Sequence, residues 1–181
     1  MTFARSALLD KVIAHAAAHG IGDSSLRDLA AAAGSSHRML IYHFGSRDGL
    51  IAAIATAIEE QQRDMLGRLA VTSTSPGEMI LEQWYALIRP DTLQFVRVFF
   101  EVLPQAFHGR PGTERFLKSL IEPWLEAGVG AATNLGTTAR TDEIRLGIAV
   151  IRGLLIDVLA TGDAAPATEA LQRFVEHWPA R

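Results

Sequence analysis

Six side chains in the first fifty residues, Arg27, Ser36, His37, Arg38, Tyr42 and Arg47, can all donate hydrogen bonds to anionic oxygens or to nucleobase edges. Arg38 offers the bidentate fork that fits O6 and N7 of guanine, and His37 beside it adds a donor for a base or a phosphate. Ser36, Tyr42 and Arg47 suit phosphate oxygens, contacts that fix register without reading sequence. Arg47 also stands at the start of an expected helix, where the dipole disfavours a cation and a phosphate would compensate. Other chemistries have less to work with. The chain has no cysteine, so disulfides, thiolate metal sites and a cysteine nucleophile are excluded. It carries no phosphate-cradling glycine loop and no nucleophile elbow. His15 and His19 have the i, i+4 spacing of helical metal ligands, but no third ligand lies nearby in sequence. They read as surface or half-buried histidines, and His43 reads as a structural one. No metal, cofactor or enzymatic activity is expected; an enzyme would need ionisable side chains converging in a pocket.

The donors need a scaffold, and the local sequence supplies one. Ser25 with Asp28 three residues on is a weaker form of the capping box, opening a short helix over about 26–33 that stops at Gly34. Ser36 caps a second short helix over about 37–43, which Gly45 breaks. Two short helices joined by Gly34-Ser35-Ser36 match a helix-turn-helix in size and turn chemistry. Leu26, Leu29, Leu40 and Phe44 would form its core, with Ala30 and Gly34 small enough for a close crossing. A first helix over about 4–19, ended by Gly20, precedes this unit. A long helix capped by Ser46, over about 47–70, follows it with Leu50, Ile54, Ile58, Met65 and Leu69 on one stripe. Helical segments are then predicted over 78–89, 91–103, 113–127, 141–161 and 166–178. Pro90, Pro104 and residues 109–112 punctuate them, and Pro123 marks a kink or a break.

Strand-like alternation is almost absent from these 181 residues, of which 49% are apolar, so the fold class is all-α. The formal net charge is −3, which argues weakly against nucleic acid. Residues 1–50, however, hold five Arg and Lys against four Asp, and one small DNA-binding face needs only local positive charge. No apolar run approaches the roughly 20 residues needed to span a bilayer. The opening residues also lack the layout of a secretory leader. A cytoplasmic protein with no membrane partner is the expectation.

Two further signals lie downstream. Aromatic residues cluster between 79 and 124, and Trp84, Phe99, Phe107 and Trp124 are taken as candidate lining of a small-molecule pocket. Gln83, Glu101, Gln105 and His108, interleaved with them, would orient a ligand. Segment 141–161 is apolar on two sides: Ile144, Ile148, Ile151, Leu155 and Val158 form one stripe, while Leu146, Val150, Gly153 and Leu154 lie off it. A helix apolar on more than one side must be buried on more than one side. With the stripe Ala167, Ala170, Leu171, Phe174 and Trp178 of segment 166–178, this points to a homodimer through both segments, the other reading being internal core.

The run Leu26-Arg27-Asp28-Leu29-Ala30, then Gly34, Ser36, Tyr42-His43-Phe44-Gly45-Ser46-Arg47 and Leu50, resembles the N-terminal signature of TetR-like transcriptional regulators. The resemblance covers about residues 5–54. It implies a helix-turn-helix domain over 1–46 and a helical regulatory domain over 47–181, with the helix 47–70 as bridge. It further implies a dimer, a palindromic double-stranded operator, and a small-molecule effector whose binding in the second domain releases DNA. It places Arg27 where such proteins contact DNA. Three positions depart from the pattern: Ile41 stands where Tyr is usual, Ala16 where Phe is usual, and Met39 where Thr is frequent. A second reading, a helical small-molecule-binding protein without DNA function, would be favoured by burial of Arg38 and Tyr42.

Overall fold

The computed structural model describes residues 3–19 and 24–177, all of whose regular elements are helices. In chain order these are α1 (Phe3–His19), α2 (Leu26–Ala32), α3 (His37–Phe44), α4 (Arg47–Thr72), α5 (Pro76–Leu87), α6 (Pro90–Phe107), α7 (Glu114–Ser119), α8 (Glu122–Asn134), α9 (Thr141–Thr161) and α10 (Ala165–Glu176). Gly20 and Trp178, which entered the sequence reading, lie outside the described residues. The chain packs as two compact units, residues 1–58 with 94–118, and residues 59–93 with 119–181. The division expected at residue 46 follows the motif; by packing, the first unit also takes residues 47–58 and 94–118.

In the first unit the caps form as the sequence asks. The Ser25 hydroxyl accepts from the Asp28 amide, and the Asp28 carboxylate accepts from the Ser25 amide, a reciprocal box at the head of α2. Ser36 does the same half-task for α3, accepting from the Met39 amide at 3.2 Å. Each such cap stabilises its helix by about 1 kcal/mol. Leu26, Leu29, Ala30, Leu40 and Phe44 are buried, together with Leu8, Leu9, Val12 and Ala16 of α1 and Leu50, Ile51 and Ile54 of α4. Phe99 and Phe116 also belong to this core, their rings meeting edge-on with centroids 5.5 Å apart. One close approach ties residues 94–118 into the unit. Gly112, at φ +91°, lies so near Gly49 that a Cβ there would come 2.9 Å from the Gly49 Cα.

In the second unit α9 packs on α8 and α10, and α10 on α5. Trp84 is fully buried, its Nε1 donating to the Thr168 hydroxyl at 2.9 Å. The segment predicted as 113–127 is in fact two helices. The chain breaks at Leu120-Ile121, Pro123 sits in the first turn of α8, and α8 continues seven residues past the expected end. Gly128 and Gly130 weigh against helix in sequence, but Gly128 has a packing reason: a Cβ there would lie 2.7 Å from Ile144 Cγ2. Pro104, expected to end a helix, lies inside α6 instead. It is solvent-exposed, and its own carbonyl still accepts from the His108 amide at 3.1 Å.

Gly112→Ala should therefore destabilise the first unit, through both backbone strain and the contact with Gly49, by about 1–3 kcal/mol. Thermal unfolding checks it; a melting temperature within a degree of wild type would mean the approach is not tight.

Candidate functional site

The outer face of α3 is bare. Leu40 and Phe44 point into the core, while His37, Arg38 and Tyr42 are exposed, Tyr42 by 77%. Met39 and Ile41 are exposed beside them, apolar side chains on a face of donors. Apolar groups of this kind suit the methyl of thymine. Arg27 is exposed in the first turn of α2, and Ser36 is exposed at the head of α3. Arg47 is half-buried, and its Nε donates to the Ser24 carbonyl at 3.1 Å, pinning the start of α4 to the turn before α2. Its role is therefore at least partly structural.

A residue the sequence reading passed over holds this face in place. Arg5 Nε donates to the His43 carbonyl at 3.2 Å, and the guanidinium lies 4.8 Å from the centre of the Phe44 ring. Burial, and then repulsion from Arg115, push the Arg5 pKa down. The signal was available: an arginine in the first turn of α1, ahead of the apolar residues Leu8, Leu9 and Val12. His43 is half-buried with its ring edge-on to both Tyr42 and Phe44, a packing role. His15 and His19 stack with ring centroids 4.5 Å apart, and no group of three or more His, Cys, Asp or Glu among the described residues is arranged to hold a metal.

The second unit contains a cavity of about 160 Å³. Four helices wall it at helical spacing: Glu59, Gln62 and Leu66 of α4; Met79, Gln83 and Leu87 of α5; Trp124, Gly128 and Ala132 of α8; Ile144, Ile148, Ile151, Arg152 and Leu155 of α9. Of the four aromatics proposed as lining, only Trp124 is there. Trp84 is spent inside the unit on Thr168, Phe99 is core of the first unit, and Phe107 is 67% exposed at the end of α6. Aromatic type alone does not separate core from cavity wall, and α6 turns its apolar side into the first unit. Among the polar residues named with them Gln83 lines the cavity, whereas Glu101, Gln105 and His108 belong to the first unit.

Ionisable side chains do converge on this cavity, but they are tied to one another. Glu59 Oε2 accepts from Trp124 Nε1 at 2.6 Å and from the Arg152 guanidinium at 3.3 Å. Arg152 also donates to the Leu120 carbonyl at 2.8 Å, and Arg63 stacks over the Trp124 ring. Burial raises the Glu59 carboxyl despite the opposing pull of Arg152, Trp124 and Arg63, and burial lowers the Arg152 guanidinium. Sequence reasoning missed this pair, which joins residues 93 positions apart. The one signal was a glutamate closing the Ala- and Ile-rich run 51–58.

Short capped helices, a buried inner stripe and a bare donor-rich second helix make a helix-turn-helix of the kind that binds DNA. Residues 8–54 match the family described as bacterial regulatory proteins, tetR family. No curated protein matches the chain. Solved structures do. A TetR-family transcriptional regulator from Pectobacterium atrosepticum is 20% identical, with 96% of this chain and 90% of that one covered and a TM-score of 0.69. The multidrug binding protein EbrR, complexed with ethidium, is 23% identical over 95% and 98% of the two chains, with a TM-score of 0.63. SmeT, the repressor of the Stenotrophomonas maltophilia multidrug efflux pump SmeDEF, is 17% identical over 94% and 87%, with a TM-score of 0.59. At these identities the structures establish the all-α fold, and the match over 8–54 establishes the domain. Residues 8–54 therefore form a tetR-family N-terminal domain, set in a chain that shares its all-α fold with TetR-family regulators of known structure. No helix among the described residues is long and apolar enough to cross a membrane.

Removing one partner of a buried ion pair strands the other charge, at a cost of about 3–5 kcal/mol. Arg152→Met should show that loss in denaturant unfolding, and Glu59→Gln combined with Arg152→Met should recover at least half of it. The pH sign is fixed as well. With Arg152 gone the Glu59 pKa rises further above its unfolded value, so the protonated form is favoured by folding. The single variant should regain stability as pH falls from 7 toward 5 and lose it again as pH rises. A pH-independent loss would mean that the charge of Glu59 does not matter.

Proposed function

We propose that the chain is a ligand-responsive repressor that binds a palindromic operator as a homodimer. Residues 1–46 read DNA; residues 47–181 sense a small-molecule effector and dimerise. The observation that carries the reading is the bare outer face of α3, with His37, Arg38 and Tyr42 exposed over a buried Leu40–Phe44 side. Burial of Arg38 and Tyr42 would have favoured the alternative of a small-molecule-binding protein without DNA function, and both are exposed. Arg38 and His37 read bases in the major groove, while Arg27, Ser36, Tyr42 and Arg47 hold the backbone.

The outward side of α9 supports the dimer. Leu155 and Val158 of its first stripe are buried, whereas Leu146 (55% exposed), Gly153 and Ile156 (54% exposed) share the opposite, outward side. Ala170 of α10 is exposed as well. The cavity supports an effector site, and the ethidium complex of EbrR and the repressor role of SmeT are analogies in the same direction. The helix α4 contributes residues 47–58 to the first unit and 59–72 to the second, Glu59 and Gln62 of the cavity wall included. An effector releases DNA to the extent that it binds the DNA-incompetent state more tightly.

Operator titration at several salt concentrations tests the DNA reading. Arg38→Ala should cost ~1–3 kcal/mol at the cognate operator and relax preference at one base pair in each half-site. Tyr42→Phe should weaken all sequences alike, and Arg47→Ala should also flatten the salt dependence. Ile41→Tyr should tighten binding without changing preference. Unchanged affinity and preference in Arg38→Ala would remove the assignment of the recognition face.

Ile156→Glu tests the dimer. It should give monomers in sedimentation by placing a charge in the apolar contact, whereas Leu155, buried within one chain, reports on folding instead. Monomeric wild type at micromolar concentration contradicts the dimer.

A further inference from the structure

Gln83, a residue of the cavity wall, carries a buried polar atom with nothing to bond. Gln83 is 2% exposed, and its amide nitrogen donates to both the Gln62 carbonyl at 3.3 Å and the Gln62 side-chain oxygen at 3.0 Å. The Gln62 backbone carbonyl fixes the orientation of the amide, since a flip would set the Gln83 oxygen against that carbonyl oxygen. Its Oε1 is thereby left buried with no donor, the only such side-chain atom among the described residues. A buried acceptor without a donor is costly, and a native fold that keeps one calls for a reason. The reason is at hand, because Gln83 lines the cavity, most of whose remaining wall is apolar. The volume, about 160 Å³, is close to that of a dry cavity that admits benzene.

We infer that the effector is a compact molecule with an apolar body about one ring in size and a hydrogen-bond-donating head, an O–H or N–H group, that the head gives to Gln83 Oε1. This rests on reading the cavity as the effector site. The donor supplies the bond that the empty protein lacks, so Gln83 selects against otherwise identical molecules that end in a methyl group. Selection of this kind is strong when a site's buried polar group would otherwise stay unpaired.

Ethylbenzene, benzyl alcohol and benzylamine form a matched series for the test, differing only in a terminal methyl, hydroxyl or ammonium. Their affinities are measured by calorimetry on the full chain, wild type and Gln83→Met, which keeps side-chain length and removes the acceptor. Because each head group pays its own desolvation cost in water, the readout is the change between the two proteins in the ratio of donor-bearing to ethylbenzene affinity. The expected result is a fall of about tenfold in that ratio for benzyl alcohol, benzylamine or both, with ethylbenzene binding retained. The arm that responds tells a neutral donor from a cationic one. An unchanged ratio for both overturns the inference while leaving the cavity as an effector site. Failure of all three to bind folded wild type overturns the effector site as well. Should Gln83→Met not fold, a crystal structure of wild type with benzyl alcohol decides: the hydroxyl lies within hydrogen-bond distance of Gln83 Oε1, or the inference is wrong.

Discussion

An eight-residue helix cannot stand alone in water, because nucleation costs more than so few hydrogen bonds return. Yet α3 must be rigid while one face stays uncovered, and the first unit is organised around that constraint. Ser36 closes its N-terminus, Gly45 donates to the Ile41 carbonyl at its C-terminus, and Leu40 and Phe44 anchor its inner side. Arg5 adds a clamp from α1, holding the last turn by the His43 carbonyl and the Phe44 ring. Arg47 secures the other flank through Ser24. With the inner side this firmly held, the outer side is free to carry residues that contribute nothing to folding, such as a solvent-facing Tyr42 and Arg38.

The second unit follows a different logic. Its cavity leaves apolar surface unpacked, sets a charged pair into the wall and strands the Gln83 oxygen. Each of these opposes folding, since buried ion pairs barely recover their desolvation and voids forfeit dispersion contacts. On the proposed reading of the cavity as an effector site, all three in one place keep free energy in reserve for a ligand. Strain and unsatisfied groups of this sort are what differential binding to two states acts upon.

Local chemistry was legible in the sequence, and distant pairing was not. The serine caps, the turn between α2 and α3, and the full extent of α9 could be read because each depends on neighbours within a few residues. The double apolar character of α9 was likewise visible, with Leu155 turned inward and Leu146 outward. Trp84, Phe99 and Phe107 misled because an aromatic serves a core, a cavity and a surface equally well until its partners are known. Glu59 and Arg152 stand 93 positions apart, so nothing beyond a glutamate at the end of an apolar run hinted at their pairing. Gln83 could be named as a polar candidate but not told from Glu101, Gln105 and His108, because it matters through a bond it does not make. α8 was read short because Gly128 finds its packing reason only in Ile144, on another helix.

The central claim is that two copies of α3 read one operator, and selection of bound fragments from random DNA by the wild-type protein tests it most directly. The account predicts enrichment of an inverted repeat whose half-site centres lie about 34–36 Å apart, one turn of the duplex, or a multiple of that spacing. Each half-site should contain a guanine that loses its enrichment when the selection is repeated with Arg38→Ala. Recovery of unenriched DNA, or of a single non-repeated site indifferent to Arg38, would contradict it.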